Sequence, residues 1–406
     1  MKPKSFMLIA GEASGDLLAA ELVPALREEL AIAGAVPTTD YQPLGASLEP
    51  RFFGAGGPRM AAAGVELAFD MTEHSVIGIS DVLKNYLKFR RLFHQLHRLA
   101  LDREPDAIIC VDFAGFNRRF AHAIKAYVRP RRDWFHDWNP KLIQYVSPQV
   151  WASREGRAYQ MARDYDLLLG IFPFETEWYA KRVPAFQVEF VGNPIAERYQ
   201  HLKPAVASTS VRSLSSPMVL LLPGSRASEL ARHLPVLAGA LKLMRAAHAS
   251  LSARVVLPSE TLADKARAAG LPSDADIQIG RLHEALREAD VALASTGTVT
   301  MECAYFGVPT VALYKTSWTT YYIAKQIVTV KYLAMPNLLA NEEVFPEFIQ
   351  WAATAENIAT AALELLRDQT RRTRIKAKLA EIVSSLGGPG ASRRAAQAIV
   401  RCLNAS

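Results

Sequence analysis

Short apolar runs alternate with segments of helical spacing along the whole chain, and this alternation constrains the fold more than any other feature. In the first half the strand-like runs are Ser5–Ala10, Ala107–Val111, Lys141–Val146, Leu167–Ile171 and Val188–Val191. In the second half they are Met218–Leu222, Arg254–Leu257, Asp276–Ile279, Val291–Ala294 and Thr310–Leu313. Strands that alternate with helices are joined by right-handed crossovers, which makes the sheets parallel and covers both faces with helices. The polar, Ser- and Pro-containing stretch 199–217 reads as a linker, dividing the chain into domains 1–198 and 218–406. Two doubly wound domains facing across a cleft are therefore expected, with ligands beyond the C-terminal strand ends. The last helical segment, Ala391–Leu403, is left to pack on the other domain or on a second subunit.

A length of 406 residues suits two domains of roughly 200 residues each. Residues are 50% hydrophobic and 21% charged, which places the chain among globular proteins. Its net charge of +7 favours anionic partners: nucleic acid, acidic lipid or phosphorylated substrates. Cys110, Cys303 and Cys402 are widely spaced, so neither a disulfide framework nor a zinc site is expected, and a reducing compartment fits. The run Phe6–Ala10 is too short for a signal sequence and is soon followed by Glu12. No stretch reaches the ~18 uninterrupted apolar residues of a membrane span. A soluble or peripheral protein is expected.

Val219–Glu229 (Val-Leu-Leu-Leu-Pro-Gly-Ser-Arg-Ala-Ser-Glu) runs from a buried strand into a helix striped by Leu230, Leu234, Leu237, Leu241 and Met244. Two readings fit Gly224 and Ser225: a tight strand-to-helix turn, or an anion seat at a helix N-terminus to which Arg226 adds a guanidinium fork. Ser295-Thr296-Gly297-Thr298 is a second such loop, again opening a helix. Two of them in one half, without the lysine of a GxxxxGK[ST] loop, point to a bound nucleotide diphosphate rather than ATP hydrolysis. Glu302 then either accepts from a ribose diol or complements the helix dipole.

In the first half, Gly11-Glu12-Ala13-Ser14-Gly15-Asp16 follows the first strand, with Ser14 and Asp16 as N-cap types for a helix near Asp16. A capped turn and an anion or sugar site both fit. Gly54-Ala55-Gly56-Gly57-Pro58-Arg59 fails the GxGxxG fingerprint at its third glycine, which excludes a dinucleotide site and leaves a sugar-facing or plain glycine loop. Asp112 stands at the C-terminal tip of a buried strand, where a carboxylate caps the next helix or does acid–base work. Tyr145–Ala152 follows another strand, with Ser147-Pro148 placed to open a helix and Trp151 read as core. Arg129–Pro140 reads as an insertion or contact loop, with His136 a surface residue. Asn337, within a stretch (332–347) read as loop, either turns the chain or bonds a sugar. Lys84–Arg98 mixes apolar and basic positions; it is an ordinary amphipathic helix, or one lying on an anionic membrane if the substrate is a lipid.

Taken together, these blocks resemble lipid-A-disaccharide synthases, GT-B glycosyltransferases. The carriers are Gly11–Asp16, Gly56–Met60, Asp112 with Phe116-Asn117, Tyr145–Trp151, Phe172–Glu175 and Leu222–Arg226 with Glu229. Ser295–Thr298, Glu302-Cys303, Pro336–Ala340 and Val344–Gln350 complete the series in family order. The resemblance implies transfer from UDP-2,3-diacylglucosamine to 2,3-diacylglucosamine 1-phosphate, giving the β-1′,6-linked disaccharide 1-phosphate and UDP. It implies inversion without a metal, and no cofactor. Asp112 matches the family's proposed base. Gly224, Ser225, Arg226, Ser295, Gly297, Thr298, Glu302 and Asn337 match the UDP side; Glu12, Ser14, Gly15 and Asn117 are carried over to the acceptor side. The implied setting is the cytoplasmic face of a membrane, held peripherally at its anionic surface by the first domain. A homodimer built from the C-terminal part is suggested, and no nucleic-acid partner.

Three positions depart from the family pattern: Ser153 for Trp, Asn193 for the His of Gly-His-Pro, and Ala114 for Pro. They leave acyl preference and activity level open. Another UDP-sugar GT-B enzyme, such as an epimerase, and a silent nucleotide-sugar-binding scaffold remain the competing readings.

Overall fold

The computed structural model describes residues 3–34, 49–72, 79–131, 136–202, 216–271 and 275–405; for 79–86 only the backbone is described. Contacts divide the chain into two compact units, one of Met1–Glu197 with Leu386–Ser406, the other Arg198–Ser385.

In the first unit the strands are β1 (Ser5–Ala10), β2 (Arg51–Gly56), β3 (Glu66–Asp70), β4 (Ala107–Val111), β5 (Lys141–Tyr145), β6 (Leu167–Gly170) and β7 (Val188–Phe190). They form one parallel sheet in the order β3-β2-β1-β4-β5-β6-β7. Its helices are α1 (Ala13–Gly34), α2 (Pro58–Ala62), α3 (Ile79–Arg103), α4 (Ala114–Val128), α5 (Arg157–Asp164), α6 (Phe174–Ala180) and, at the boundary, α7 (Pro194–Arg198). The twofold alternation of strand side chains splits β1 between two cores. Phe6, Leu8 and Ala10 join Leu22 and Leu26 of α1, whereas Met7 and Ile9 join Leu96 of α3 and Phe120 of α4.

The second unit repeats the winding with β8 (Met218–Leu222), β9 (Ser252–Leu257), β10 (Asp276–Ile279), β11 (Val291–Ser295), β12 (Thr310–Tyr314) and β13 (Glu347–Ile349). The order is β10-β9-β8-β11-β12-β13, again parallel. Helices α8 (Ala227–Ala247), α9 (Glu260–Ala268), α10 (Leu282–Glu288), α11 (Thr298–Tyr305), α12 (Trp318–Ile327), α13 (Met335–Ala340), α14 (Ala355–Arg367) and α15 (Gln369–Ser385) surround it. In both sheets the winding direction reverses once, between β1 and β4 and between β8 and β11. Loops leaving those strands splay apart there and leave a crevice at the carboxyl ends.

Several expectations need correction. Gly54–Gly56 is not a loop but the end of β2, and Gly54 is glycine because a Cβ would lie 1.9 Å from the carbonyl oxygen of Leu8 on β1. Residues 332–347 are not all loop, since α13 starts at Met335 with a proline in its first turn. Tyr199, taken as the start of the linker, is buried against Phe306 with ring centroids 5.0 Å apart; residues 203–215 of that linker lie outside the described residues. Within Lys84–Arg98, Phe93 packs against Phe116 and Phe120 and Leu96 is fully buried, so that half of the helix is core. Among the described side chains of this stretch, Leu87, 71% exposed, is the outward apolar residue.

The final helix, α16 (Ala391–Asn404), belongs to the first unit. Ala395, Ile399 and Cys402 enter the same core as α1, and Arg394 donates from Nε to Val191 O at 2.7 Å. Ile399 is fully buried, so Ile399→Ala should cost about 2–5 kcal/mol. Hydrogen exchange locates the loss: protection should fall in β1, β4 and β5 while β8 and β11 stay protected. Equal loss in both sheets would refute the assignment.

Candidate active site

At the first switch point β4 ends at Val111, and the next two residues take left-handed backbone conformations, Asp112 at φ 49° and Phe113 at φ 46°. Such conformations cost non-glycine residues about 1–3 kcal/mol each and persist only when the surroundings enforce them. Here the enforcement is visible. The Asp112 N–H donates to Tyr145 O at 2.9 Å. Its carbonyl accepts from Asn117 Nδ2 at 2.8 Å and Gln144 Nε2 at 3.2 Å. The same Gln144 amide reaches Val146 O at 3.1 Å, and Val146 is itself left-handed at φ 68°, an outlier for a β-branched residue. Phe113 turns its ring over Gly11, where a Cβ would sit 2.2 Å from the ring. The helix that follows has Phe113, not Asp112, at its N-cap.

This turn carries the Asp112 side chain toward the loop after β1. Ser14 Oγ donates to Asp112 Oδ2 at 3.4 Å, and a Cβ on Gly15 would come 3.6 Å from Asp112 Cβ. Glu12 is half-buried and accepts the Asp16 N–H through its carbonyl at 2.9 Å. Asp112, Ser14 and Gly15 are thus brought together. Asn117, fully buried with its Nδ2 on the Asp112 carbonyl, holds the turn. Asp16 does not cap its own helix, which already begins at Ala13. It is buried and accepts from the N–H groups of Gly57, Arg59 and Met60 at 2.7, 3.1 and 3.0 Å, tying α1 to α2.

Tyr145–Trp151 and Phe172–Glu175 form one cluster beside this turn. Glu175 is fully buried and accepts from Trp151 Nε1 at 3.1 Å and from the N–H groups of Ile171 and Phe172, each at 3.0 Å. Burial pushes its carboxyl up to about 7 despite those donors. Trp151 is core, as the sequence suggested, and orients this carboxyl.

At the second switch point Pro223-Gly224-Ser225 leads into α8 with Arg226 at the N-cap. Gly224 has φ 116°, and a Cβ there would meet Glu229 Oε2 at 2.5 Å. The seat is already shaped by an internal anion: Glu229 Oε2 accepts from Ser225 N at 3.0 Å and Arg226 N at 3.3 Å. These two N–H groups, expected to be free, are thus taken up by Glu229. Arg226 itself has a half-exposed side chain, with Nη1 3.5 Å from Glu229 Oε1. Behind the loop, His233 is fully buried: Nδ1 lies 2.8 Å from Pro223 O, and Nε2 accepts Lys315 N at 3.0 Å. With Nδ1–H donating, both bonds are satisfied by neutral imidazole, and burial pulls its pKa below the usual range.

The neighbouring loop leaves β11 at Ser295, which is buried, and turns at Gly297 (φ 133°), around whose missing Cβ there is open space. Thr298 is the first residue of α11, and Thr300 Oγ1 donates to Gly297 O at 2.7 Å. Glu302, one turn in, accepts from Tyr199 OH at 3.4 Å and lies 3.9 Å from Arg198 Nη1; burial raises its pKa and Arg198 opposes this. Asn337 is fully buried and committed: Nδ2 donates to Phe345 O at 2.8 Å and Oδ1 accepts from Val344 and Phe345 N–H at 2.9 and 2.7 Å. It holds the loop before β13. The residues that sequence reasoning missed are Gln144 and His233, for which a polar residue inside an apolar run and a histidine on the core face of a leucine helix were the available signals.

Two doubly wound parallel units, each with a pair of loops at its switch point, define the GT-B class of glycosyltransferases and related epimerases. The fold matches the S. aureus MnaA–UDP co-structure with a TM-score of 0.60 at 14% identity, covering 99% of this chain and 97% of that one. It matches the calicheamicin glycosyltransferase CalG4 with a TM-score of 0.56 at 16% identity, covering 100% and 99%. A family model described as lipid-A-disaccharide synthetase fits residues 6–401. The lipid-A-disaccharide synthase of Trichlorobacter lovleyi is 35% identical over 412 residues, covering 100% of this chain and 99% of the relative. The chain belongs to the lipid-A-disaccharide synthase family and is a glycosyltransferase.

The Glu175 cluster has a pH signature. Its folded-state pKa lies above the unfolded value, so the folded state holds the extra proton between about 4.5 and 7. Stability should therefore fall as pH rises through that window, by about 3 kcal/mol in total. In denaturant unfolding at pH 5 and 8, the difference between wild type and Glu175→Gln should carry this slope; parallel profiles would reject it.

Proposed function

We propose that this protein transfers a diacylglucosaminyl group from UDP to the 6-hydroxyl of a diacylglucosamine 1-phosphate, with inversion. The observation that carries the reading is the strained Asp112 turn at the β1/β4 switch point of a family member. Asp112 takes the proton of the acceptor hydroxyl, whose oxygen attacks the anomeric carbon. The bond from that carbon to the diphosphate breaks, and UDP leaves with the electron pair. Ser14, 3.4 Å from the carboxylate, holds its orientation. A carboxylate fixed before the reaction costs no reorganisation in the transition state, and general-base help is worth about 10²–10⁴-fold.

The reading gives the diphosphate to the second unit. Arg226 supplies a charged fork, while Ser295, Gly297 and Thr298 supply a hydroxyl-bearing turn with open space at its glycine. Glu229 moulds the Pro-Gly-Ser loop. Glu302, with its pKa raised and its partners Arg198 and Tyr199 alongside, is assigned to the ribose side. Glu12 and Gly15 stay on the acceptor side. Association with an anionic membrane surface, on its cytoplasmic face, belongs to the same proposal, as does a homodimer. Support comes from exposed Leu87 flanked by exposed Lys88, Arg90 and Arg91 on α3. No helix of the described residues is long and apolar enough to cross a membrane.

UDP release from the diacylated donor, with and without the diacylated sugar-phosphate acceptor, tests the reaction. Asp112→Asn should lower kcat by about 10²–10⁴-fold with UDP affinity intact; full activity would remove the base assignment. Gln144→Met keeps the volume but removes the bonds to the Asp112 and Val146 carbonyls, leaving Asn117 alone on the former. Misplacing a catalytic group by about 1 Å costs up to about 10²-fold, so kcat should fall about 10- to 100-fold, again without loss of UDP binding. Arg226→Ala should do the reverse, weakening UDP about tenfold or more in calorimetry, as expected for one charged hydrogen bond. Unchanged UDP affinity would place the nucleotide elsewhere.

A further inference from the structure

Helix α12 (Trp318–Ile327) is a regular, capped helix that buries nothing. Ser317 Oγ accepts the Thr320 N–H at 3.2 Å, yet none of its ten residues is buried. Trp318, Tyr322 and Ile323 are 45%, 57% and 60% exposed, and Trp351 from the segment after β13 is 67% exposed. The Trp318 and Trp351 rings meet at a tilt of 39° with centroids 4.0 Å apart, and Tyr321 and Tyr322 lie 6.2 and 6.3 Å from Trp318. Single exposed apolar residues are ordinary; a contiguous cluster of this size marks an interaction surface.

The exposure is built in. Gln350, buried and left-handed at φ 52°, donates to Thr316 O at 3.1 Å and accepts Thr316 N at 3.0 Å. Lys315 Nζ donates to Gln350 O and Ala353 O, each at 3.1 Å. These bonds clamp the segment on both sides of Trp351 and hold the indole outward.

Charge narrows the partner. From Cys303 to Asn341 the sequence contains no Asp or Glu, and it contains Lys315, Lys325 and Lys331. Lys325 is exposed on the Trp318–Tyr322 face at helical spacing, and exposed Lys331 lies over the Tyr332 ring at 4.9 Å. Tryptophan and tyrosine favour the bilayer interface, where the ring is apolar and its N–H or O–H stays wet; lysine snorkels to the headgroups. Protein–protein interfaces share the aromatic enrichment but are depleted in lysine. A helix with no buried residue is also a ridge, whereas a site for one acyl chain would be concave. We propose that α12 and Trp351 form a second contact with an anionic bilayer surface, on the unit opposite in sequence to the α3 contact. The inference deepens the membrane reading above but does not depend on Leu87.

The test uses the full chain and sedimentation with sucrose-loaded phosphatidylcholine vesicles, with and without phosphatidylglycerol. Trp318→Ser/Trp351→Ser should weaken partitioning onto phosphatidylglycerol vesicles about tenfold or more, since burying one large side chain is worth about 1.5–3 kcal/mol. Lys325→Glu should reduce the preference for the anionic lipid. Wild-type tryptophan emission should shift to the blue on blank anionic vesicles, and the double variant should lose most of that shift while binding UDP normally. Partitioning equal to wild type overturns the proposal. So does a blue shift seen only with acylated substrate, which would make the patch an acyl site, or conversion of a wild-type dimer to monomer in the double variant. Loss of binding in Leu87→Ser with none in the tryptophan variant would leave the α3 contact standing and remove this one. Wild type that ignores vesicles removes both.

Discussion

At the end of β4 the backbone takes two consecutive left-handed steps at residues that are not glycine, and the rest of that switch point is organised around holding them. Asn117 and Gln144 converge on the Asp112 carbonyl from α4 and β5, and Gln144 simultaneously holds the left-handed Val146. Gly11 lacks a side chain because Phe113 occupies the space. Replacing Asp112 with glycine would relieve strain but remove the carboxylate, which the proposed reaction uses as its base. Strain at a site supports a functional reading only when the surroundings visibly enforce it, and here two buried amide side chains, Asn117 and Gln144, do.

The second unit solves the same geometrical problem differently. Its glycine, Gly224, carries the positive φ, and Glu229 rather than a ligand satisfies the N–H groups of the turn. A strand–glycine–helix junction with an internal carboxylate on its amides is the result. The same device recurs where Asp16 serves the start of α2, where Glu175 serves Ile171 and Phe172, and where Glu347 accepts Leu333 and Ala334 N–H at 2.7 and 3.2 Å beside α13. Carboxylates at helix starts here are mostly structural. What singles out the Arg226 loop is the half-exposed guanidinium and its neighbour, the open turn at Gly297.

This explains how much was legible in the sequence. Strands β1, β4, β8, β11 and β12 were readable within one residue because each is a continuous apolar or β-branched run buried on both faces. β2 was not, since close approach to β1 demanded glycines and glycines read as loop. β3 and β13 are short edge strands with half-buried, mixed patterns. Asp112 and Arg226 were legible because a charge at the tip of a buried run has few structural uses. Asn117 and Asn337 were legible as important but not as to role. What a buried amide bonds to is decided in part by tertiary neighbours, such as the Ile9 carbonyl 3.4 Å from Asn117 Nδ2, which no local pattern announces.

The departures from the family pattern follow the same logic. Asn193, where the resemblance leads one to expect histidine, accepts the Ile195 N–H through Oδ1 at 3.1 Å, and its own N–H donates to Leu386 O at 2.9 Å. Asparagine is among the best residues for starting a helix, and it does so where α7 meets the segment returning to α16. An imidazole at that position would have to forgo this bond or make it through a ring nitrogen with different reach. The substitution is therefore coupled to the chain's return into the first unit. Ala114 is likewise accommodated: it is the first residue of α4, a position where proline is favoured but its ring is not required. Both changes fall where backbone geometry is set, and both leave the residues that face the chemistry as the family has them.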